Sequence, residues 1–250
     1  MHKGGLAGRN VLVTGATSGI GQATGMVFAK QGARVLVAGR DKERGDAVVA
    51  AIRAGGGEAE FLAGDLRDAS SAKDLARRAL GAADGKIDVL VNNAGWGILG
   101  ATEGFDEATF DGIIGTNLKV PFYLVGEIAR GMAERGRGAI VNVSTMAADI
   151  AMPGMAVYGA SKAALNLLTR SWAAEYGPKG VRVNAVSPGT VRTPSVEILG
   201  EELDRLGAQS PSGYVAAPEE VARVIAFLAS DDASYIQGAV VSVDGGRSAV

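Results

Sequence analysis

The sequence contains no cysteine and a single histidine, His2. Without cysteine there is no disulfide, no thiolate nucleophile and no Cys-ligated metal. One histidine at the second position also argues against a Ser-His-Asp triad and against a histidine metal site, so we expect no metal. Any chemistry therefore falls to Tyr, Lys, Ser, Thr, Asn, carboxylates or a cofactor.

Unbalanced charge and long apolar runs are also missing. The net charge is −2, from 25 Lys and Arg against 27 Asp and Glu, and no basic run suggests nucleic acid. No uncharged apolar run approaches the ~20 residues of a membrane span, and the first residues lack the apolar region of a signal peptide. We expect no nucleic-acid or membrane partner and a cytoplasmic location.

Aromatic residues are few, at 5%, whereas the 250 residues include 37 glycines and 47% are hydrophobic. Short apolar runs alternate with helix-like segments, and this alternation predicts an α/β fold with a parallel sheet covered by helices on both faces. The predicted strands are 10–14, 34–38, 58–62, 87–91, 139–143, 181–186 and 239–243. We expect one domain, 1–250, with a substrate loop or lid over the irregular stretch 187–217.

The first predicted strand runs into a glycine-rich turn, TGATSGIG, over residues 14–21. Glycines allow a tight turn and a close approach to a pyrophosphate, and the following helix supplies free N–H groups. An ordinary tight turn is the alternative. The predicted cofactor-binding residues are Gly15, Thr17, Ser18, Gly19, Ile20 and Gly21.

The end of the second strand bears on the choice of dinucleotide. An acidic residue there binds the 2′-hydroxyl of NAD, whereas an Arg accommodates the 2′-phosphate of NADP. Here Gly39 leaves space and Arg40 follows it, which favours NADP(H), with NAD(H) as the alternative. Arg40 as a solvated surface residue is the competing interpretation. Asp41 would repel a phosphate, bind ribose or cap the next helix, and the helix cap is favoured.

Two further strand ends carry polar residues. Asp65-Leu66 follows the third strand, where an adenine ring would lie, and a turn aspartate is an equal alternative. Asn92-Asn93-Ala94-Gly95 ends the fourth strand. We predict that Asn93, Ala94 and Gly95 line the cofactor, with a structural role for the two asparagines as the alternative.

Tyr158 and Lys162 lie four residues apart in a predicted helix, so both project from one face. A carbonyl that receives hydride needs a proton donor, and tyrosine, with an ordinary pKa of about 10, supplies one. We expect a neighbouring ammonium and an oxidised nicotinamide to lower the pKa of Tyr158. Taken alone, the pair is equally explained as a chance Tyr-x-x-x-Lys spacing on the exposed face of an amphipathic helix.

Together these motifs resemble the short-chain dehydrogenase/reductase family, in its compact form of about 250 residues. The matching segments are TGATSGIG at 14–21, NNAG at 92–95, Asn117 in GTNL, YGASK at 158–162, NAVSPG at 184–189 and VDGG at 243–246. The resemblance implies a Rossmann-type seven-stranded parallel sheet in the order 3-2-1-4-5-6-7. It also implies a homotetramer, or a dimer, and an NAD(P)-dependent enzyme with a small-molecule substrate.

The same resemblance implies roles for single residues. Tyr158 would be the general acid and base, Lys162 would activate it and bind the nicotinamide ribose, and Asn117 would hold a water in a proton relay. Around the nicotinamide it implies Pro188, Gly189, Val191 and Thr193.

One position departs from the family pattern. The usual catalytic serine, thirteen residues before the tyrosine, is replaced by Thr145, and Ser144 lies one residue earlier. Adjacent strand residues point to opposite sides, so register favours Thr145. The alternative is that an irregular strand end turns Ser144 inward.

The candidate substrate pocket is apolar. Its predicted residues are Trp96, Ile98, Ser144, Met152, Met155, Ile198, Leu199 and Tyr214, several of which are equally open to a core or interface role. We expect hydride transfer between NADP(H) and an apolar ketone, a secondary alcohol or a 3-oxoacyl thioester. The alternatives are an NAD-dependent secondary-alcohol dehydrogenase and a non-catalytic cofactor-binding module.

Overall fold

A computed structural model describes residues 5–250, and His2 lies outside the described residues. Seven parallel strands form one sheet in the order β3-β2-β1-β4-β5-β6-β7, which confirms the predicted order. The strands are β1 (Asn10–Thr14), β2 (Arg34–Gly39), β3 (Glu58–Ala63), β4 (Val89–Asn92), β5 (Gly138–Val143), β6 (Val181–Pro188) and β7 (Val240–Val243).

Helices cover both faces of this sheet. They are α1 (Gly19–Lys30), α2 (Lys42–Ala54), α3 (Ala69–Ala82), α4 (Glu107–Ile114), α5 (Val120–Glu134), α6 (Ala156–Tyr176), α7 (Glu201–Ala208) and α8 (Pro218–Ala229). A π-helical turn, Gly115–Lys119, joins α4 to α5. Within residues 5–250, no helix combines the length and the apolar character that a membrane crossing requires.

The central strands are buried on both sides, which explains their continuous apolar sequences. In β1, Val11 and Val13 belong to the core beneath α1, α2 and α8. Leu12, between them, belongs to the core beneath α3, α5 and α6. The alternation of side chains along a strand therefore divides β1 between two hydrophobic layers.

The sheet has its topological switch between β1 and β4. Strand β1 pairs with β2 on one side and with β4 on the other. In such sheets a crevice opens at the carboxyl ends of these strands. Thr14, the last residue of β1, joins the two ends, since its Oγ1 accepts from the N–H groups of Asn93 and Ala94 at 3.0 Å.

The prediction of an irregular segment over 187–217 was wrong in part. Strand β6 continues to Pro188, and α7 occupies Glu201–Ala208. Acidic residues in the first turn of α7 stabilise its N-terminus, and Leu203 anchors it by burial. A bridge between Val191 and Ala216 closes the neck of the loop that carries α7.

Candidate active site

The glycine-rich turn is a tightly packed cradle at the start of α1. Gly15 and Gly19 have φ of +62° and +53°, which favour glycine. A β-carbon at Gly21 would lie 2.3 Å from the carbonyl oxygen of Gly15. The side chain of Ser18, the N-cap residue, makes no capping hydrogen bond. The first N–H groups of α1 therefore have no side-chain cap, and an anion such as a pyrophosphate fits there.

The end of β2 lies directly against this turn. A β-carbon at Gly39 would be 2.5 Å from Cγ2 of Thr17, so these residues leave no room for a side chain. Arg40 is exposed. Asp41 caps α2, accepting from Arg44 N–H at 3.0 Å. That backbone hydrogen bond, with the hydrogen bond from the Arg44 side chain, lowers the pKa of Asp41. The structure thus shows Asp41 as the N-cap of α2.

The residues predicted to contact the cofactor after β3 and β4 form ion pairs and hydrogen bonds within the protein. Asp65 is exposed and forms an ion pair with Arg67 at 2.7 Å. The carbonyl of Leu66, itself buried, accepts from Thr116 Oγ1 at 3.0 Å. The amide of Asn93 donates to the carbonyl oxygens of Thr14 and Gly15, and so holds the glycine turn in place.

Tyr158 lies in the first turn of α6, half-buried beside Thr145. Burial raises the pKa of its phenol, while a hydrogen bond with Thr145 acts in the opposite direction. Lys162 is not among the groups that shift this pKa in the protein alone, and its Nζ donates to the carbonyl oxygen of Val143, 2.8 Å away. The lowering expected when an oxidised nicotinamide is bound stays a prediction.

Lys162 is enclosed by protein, with 3% of its surface exposed. Burial lowers the pKa of its ammonium from 10.5 to about 8. Gly95 lies against this side chain, since a β-carbon there would be 3.0 Å from Nζ of Lys162 and 3.1 Å from Oδ1 of Asn117. The backbone of the NNAG motif thus forms one wall around Lys162.

The structure separates the two candidate hydroxyl groups. Thr145 is half-buried, and its Oγ1 accepts from Ala147 N–H at 3.3 Å in addition to its hydrogen bond with Tyr158. Ser144 is 3% exposed, and its Oγ has no hydrogen-bond partner among the described residues. The structure therefore brings Thr145, and not Ser144, to the phenol of Tyr158.

Asn117 lies in the π-helical turn and is fully buried. Its Oδ1 accepts from the N–H of Trp96, and its Nδ2 donates to the carbonyl of Trp96 and to Oγ of Ser161. The hydroxyl of Ser161 donates in turn to the carbonyl of Tyr158. Single π turns occur often at functional sites, and this one joins the loop after β4 to the helix that carries Tyr158.

The residues implied for the nicotinamide lie where β6 ends. Pro188 is the last residue of β6, and a β-carbon at Gly189 would lie 2.7 Å from Cα of Asp244. Val191 is buried. Thr193 lies over the glycine turn, because a β-carbon at Gly19 would be 3.0 Å from its Cγ2.

Two residues predicted for the substrate pocket have other contacts. The indole of Trp96 packs toward Gly112 of α4 and donates from Nε1 to Thr116 at 3.2 Å. Tyr214 donates to Glu220 at 2.8 Å and lines a separate cavity between α7 and the C-terminal turn. Both side chains therefore hydrogen-bond to other elements, and their place in the substrate pocket stays a prediction.

The other candidate pocket residues differ in exposure. Ile198 is 92% exposed on the loop before α7, and Leu199 after it is half-buried. Ile98 is 47% exposed. Met152 and Met155 are half-buried in the turn that leads into α6, where the N–H of Met155 donates to the carbonyl of Met152 at 3.1 Å. Met152 and Met155 precede Tyr158 by six and three residues, and their place in the pocket stays a prediction.

Two features of the site were missed from the sequence. Gly97 packs against Tyr158, since a β-carbon there would lie 2.6 Å from the ring, and its position just after NNAG was the available signal. The carboxylate of Asp149 accepts from Oγ of Ser187 at 3.0 Å. No sequence pattern linked these last two residues, which are 38 positions apart.

Comparison with known proteins now decides the family. The family model described as enoyl-(acyl carrier protein) reductase matches residues 15–248. A solved structure of a short-chain dehydrogenase/reductase family protein is 45% identical, covers 98% of this chain and 99% of its own, and superposes with a TM-score of 0.91. The chain belongs to the short-chain dehydrogenase/reductase family. It is an NAD(P)-dependent oxidoreductase that acts on CH–OH donors.

Named relatives cover almost the whole chain. A 3-oxoacyl-acyl-carrier-protein reductase of Thermotoga maritima is 38% identical over 96% of this chain and 98% of its own length. A cis-4-hydroxycyclohexanecarboxylate dehydrogenase of Sinomonas cyclohexanicum is 42% identical over 98% of each chain. A structure from Beutenbergia cavernae, named provisionally as an NAD(P)-dependent gluconate 5-dehydrogenase with NADP bound at low occupancy, is 38% identical, with a TM-score of 0.93 over 98% of this chain and 99% of its own.

Proposed function

We propose that this short-chain dehydrogenase/reductase is an NADP(H)-dependent ketoreductase for apolar ketones or 3-oxoacyl thioesters. The observation that carries the proposal is the phenol of Tyr158 beside the hydroxyl of Thr145, one helical turn from buried Lys162, at the carboxyl ends of the strands. The named 3-oxoacyl reductase relative supports the substrate class.

The protein residues divide the chemistry between them. A bound nicotinamide supplies the hydride. Tyr158 donates its phenolic proton to the carbonyl oxygen of the substrate, and Thr145 donates a second hydrogen bond to the same oxygen. Because burial raises the pKa of Tyr158, the phenol is protonated at neutral pH. That state is the one required for reduction of a carbonyl.

Lys162 and Asn117 serve the proton supply. Nζ of Lys162 gives one hydrogen to the carbonyl of Val143, which leaves two for a ribose hydroxyl and a water. The side-chain amide of Asn117 is engaged by Trp96 and Ser161. The backbone carbonyl of Asn117 is therefore the group that we assign to the relay water.

The preference for NADP(H) rests on Gly39 and Arg40. Gly39 has no room for the acidic side chain that binds a ribose 2′-hydroxyl, and exposed Arg40 is available to a 2′-phosphate. The similar structure from Beutenbergia cavernae, which contains NADP, supports the preference for NADP(H).

Dissociation constants for NADPH and NADH test the cofactor proposal. A charge-assisted hydrogen bond of about 1.5–3 kcal/mol gives Arg40→Ala an approximately ten- to hundredfold loss of NADPH affinity, with NADH affinity unchanged. Arg77→Ala, which removes an exposed arginine of α3, serves as the control. An unchanged preference in Arg40→Ala would refute the assignment and favour the NAD-dependent alcohol dehydrogenase.

A substrate panel tests the rest of the proposal. We expect NADPH oxidation with apolar ketones and 3-oxoacyl thioesters, and loss of that turnover in Tyr158→Phe. Turnover confined to sugars or charged polyols would contradict the apolar substrate class. Cofactor binding without turnover of any carbonyl would favour the non-catalytic module.

We also propose assembly through the long helices α5 and α6. Phe122 of α5 and Leu167 of α6 are 49% and 62% exposed, and the ring centroids of Phe122 and Trp172 of α6 lie 6.3 Å apart. Large exposed apolar side chains on neighbouring helices suit a subunit interface. Light scattering of the wild type and of Leu167→Glu distinguishes a tetramer or dimer from a monomer.

A further inference from the structure

Asp149 lies at the end of the turn that presents Thr145. The turn Met146–Ala148 follows Thr145, and Asp149 closes it by donating its N–H to the carbonyl of Met146 at 2.9 Å. Its side chain then reaches β6, where one carboxylate oxygen accepts from Oγ of Ser187 at 3.0 Å. Ser187 is 1% exposed, so a buried donor fixes the position of this carboxylate.

This turn also packs on the helix that carries Tyr158. A β-carbon at Gly159 would lie 2.6 Å from the carbonyl oxygen of Ala147, which shows how closely the turn and α6 approach. Asp149 therefore belongs to one rigid group with Thr145 and Tyr158. Ser187 directly precedes Pro188, so the same carboxylate is also fixed beside the end of β6.

The negative charge of Asp149 is not compensated by a neighbouring cation. Among residues 5–250, Asp149 takes part in no ion pair, and the hydrogen bond from Ser187 uses only one of its oxygens. Arg192, on the loop after β6, is paired with Asp204 of α7. Lys162 is buried, and its ammonium donates to the carbonyl oxygen of Val143.

We propose that Asp149 is a specificity-determining residue, which selects against substrates that carry a negative charge close to the reacting carbonyl. The proposal rests on the ketoreductase function proposed above. Asp149 is exposed on the side not bonded to Ser187, so solvent screens its field. We expect a discrimination of about three- to tenfold against a like charge a few ångströms away.

A pair of small 3-oxo compounds isolates this effect. Acetoacetate and acetoacetamide have nearly the same shape and differ by one negative charge. The measured quantity is the ratio of their kcat/KM values with NADPH at low ionic strength. We expect wild type to favour acetoacetamide, and Asp149→Asn, which keeps an acceptor for Ser187, to reduce that preference about three- to tenfold.

Two control variants separate charge from structure. Asp232→Asn removes an exposed aspartate from the turn after α8, which lies at the amino ends of the strands, and should leave the ratio at the wild-type value. Ser187→Ala releases the carboxylate without removing its charge, and should weaken the discrimination less than Asp149→Asn. Binding of the same two compounds to the NADPH complex of Tyr158→Phe, with and without Asp149→Asn, gives a second readout by nicotinamide fluorescence without turnover.

The outcomes distinguish the two proposals. A smaller preference in Asp149→Asn, with Asp232→Asn unchanged, supports the role of Asp149. Equal ratios of kcat/KM and of Kd with and without Asp149→Asn overturn it. Absence of reduction of both compounds and of larger apolar ketones contradicts the ketoreductase function, while the two binding constants still test Asp149.

Discussion

Burial of Lys162 leads to a stability effect that depends on pH. The protein lowers the pKa of this ammonium from 10.5 to about 8. Between those pH values the unfolded chain holds the proton and the folded chain has released it, so the free energy of unfolding rises with pH. At about 1.36 kcal/mol per pH unit, the rise amounts to about 3 kcal/mol across the whole interval.

Lys162→Met removes this titration while keeping a long apolar side chain. Subtracting the unfolding free energy of the Met variant from that of wild type cancels the other titrating groups. We expect this difference to grow by about 2–3 kcal/mol in favour of wild type between pH 7 and pH 10. The loss of the hydrogen bond to the carbonyl of Val143 adds an offset that does not vary with pH.

Urea unfolding followed by circular dichroism at pH 7, 8, 9 and 10 measures this difference. Lys42→Met provides the control, because the side chain of Lys42 is 77% exposed, and it should show no comparable dependence on pH. A wild-type minus Met difference that stays constant from pH 7 to pH 10 would refute the inference that burial governs the ionisation of Lys162.

Two further predictions concern the glycine-rich turn and the hydroxyl of Thr145. Gly39→Ala should weaken NADPH binding at least tenfold, because the new β-carbon would lie 2.5 Å from Cγ2 of Thr17, and Thr17→Ser in the same chain should restore part of the affinity measured by fluorescence titration. Thr145→Val should lower kcat by roughly a hundredfold or more, whereas Ser144→Ala, which removes an unpartnered buried Oγ, should leave kcat near wild type; the reverse result in steady-state assays would reassign the hydroxyl.

The sequence was sufficient to predict the sheet, because each strand is a short apolar run between helix-like segments. Strands β1 and β3 begin at the predicted residues, Asn10 and Glu58. Strand β6 was extended by two residues beyond the prediction, to Pro188. A proline there is tolerated at the end of a strand, since it lacks only the N–H that the ladder no longer uses.

Contacts between distant residues explain what the sequence did not predict. Nothing in the sequence indicated that Trp96 and Tyr214 would form hydrogen bonds to Thr116 and Glu220. Such partners lie on other elements and leave no periodic signal in the chain. Helix α7 was missed for a different reason, because its eight residues are too few for a clear periodic pattern.

The pKa values of Tyr158 and Lys162 show the same limit. Four-residue spacing correctly placed both residues in one helix, and we expected an ammonium and an oxidised nicotinamide to lower the pKa of the phenol. Spacing gives no information on where a flexible lysine side chain ends, and the carbonyl of Val143 takes its ammonium. Burial then dominates both groups, raising the pKa of Tyr158 and lowering that of Lys162.

The carboxyl ends of four adjacent strands account for the alignment of the whole site. Thr14 of β1 binds the NNAG backbone, Asn92 of β4 donates to Asn142 of β5, and Ser187 of β6 holds Asp149. Parallel pairing fixes the heights of these ends relative to one another, so each polar group meets its partner without a long flexible loop. A shift of register in β1 would therefore displace the glycine turn from the NNAG backbone, and one in β5 would displace Thr145 from Tyr158, so the buried sheet sets the geometry of the site.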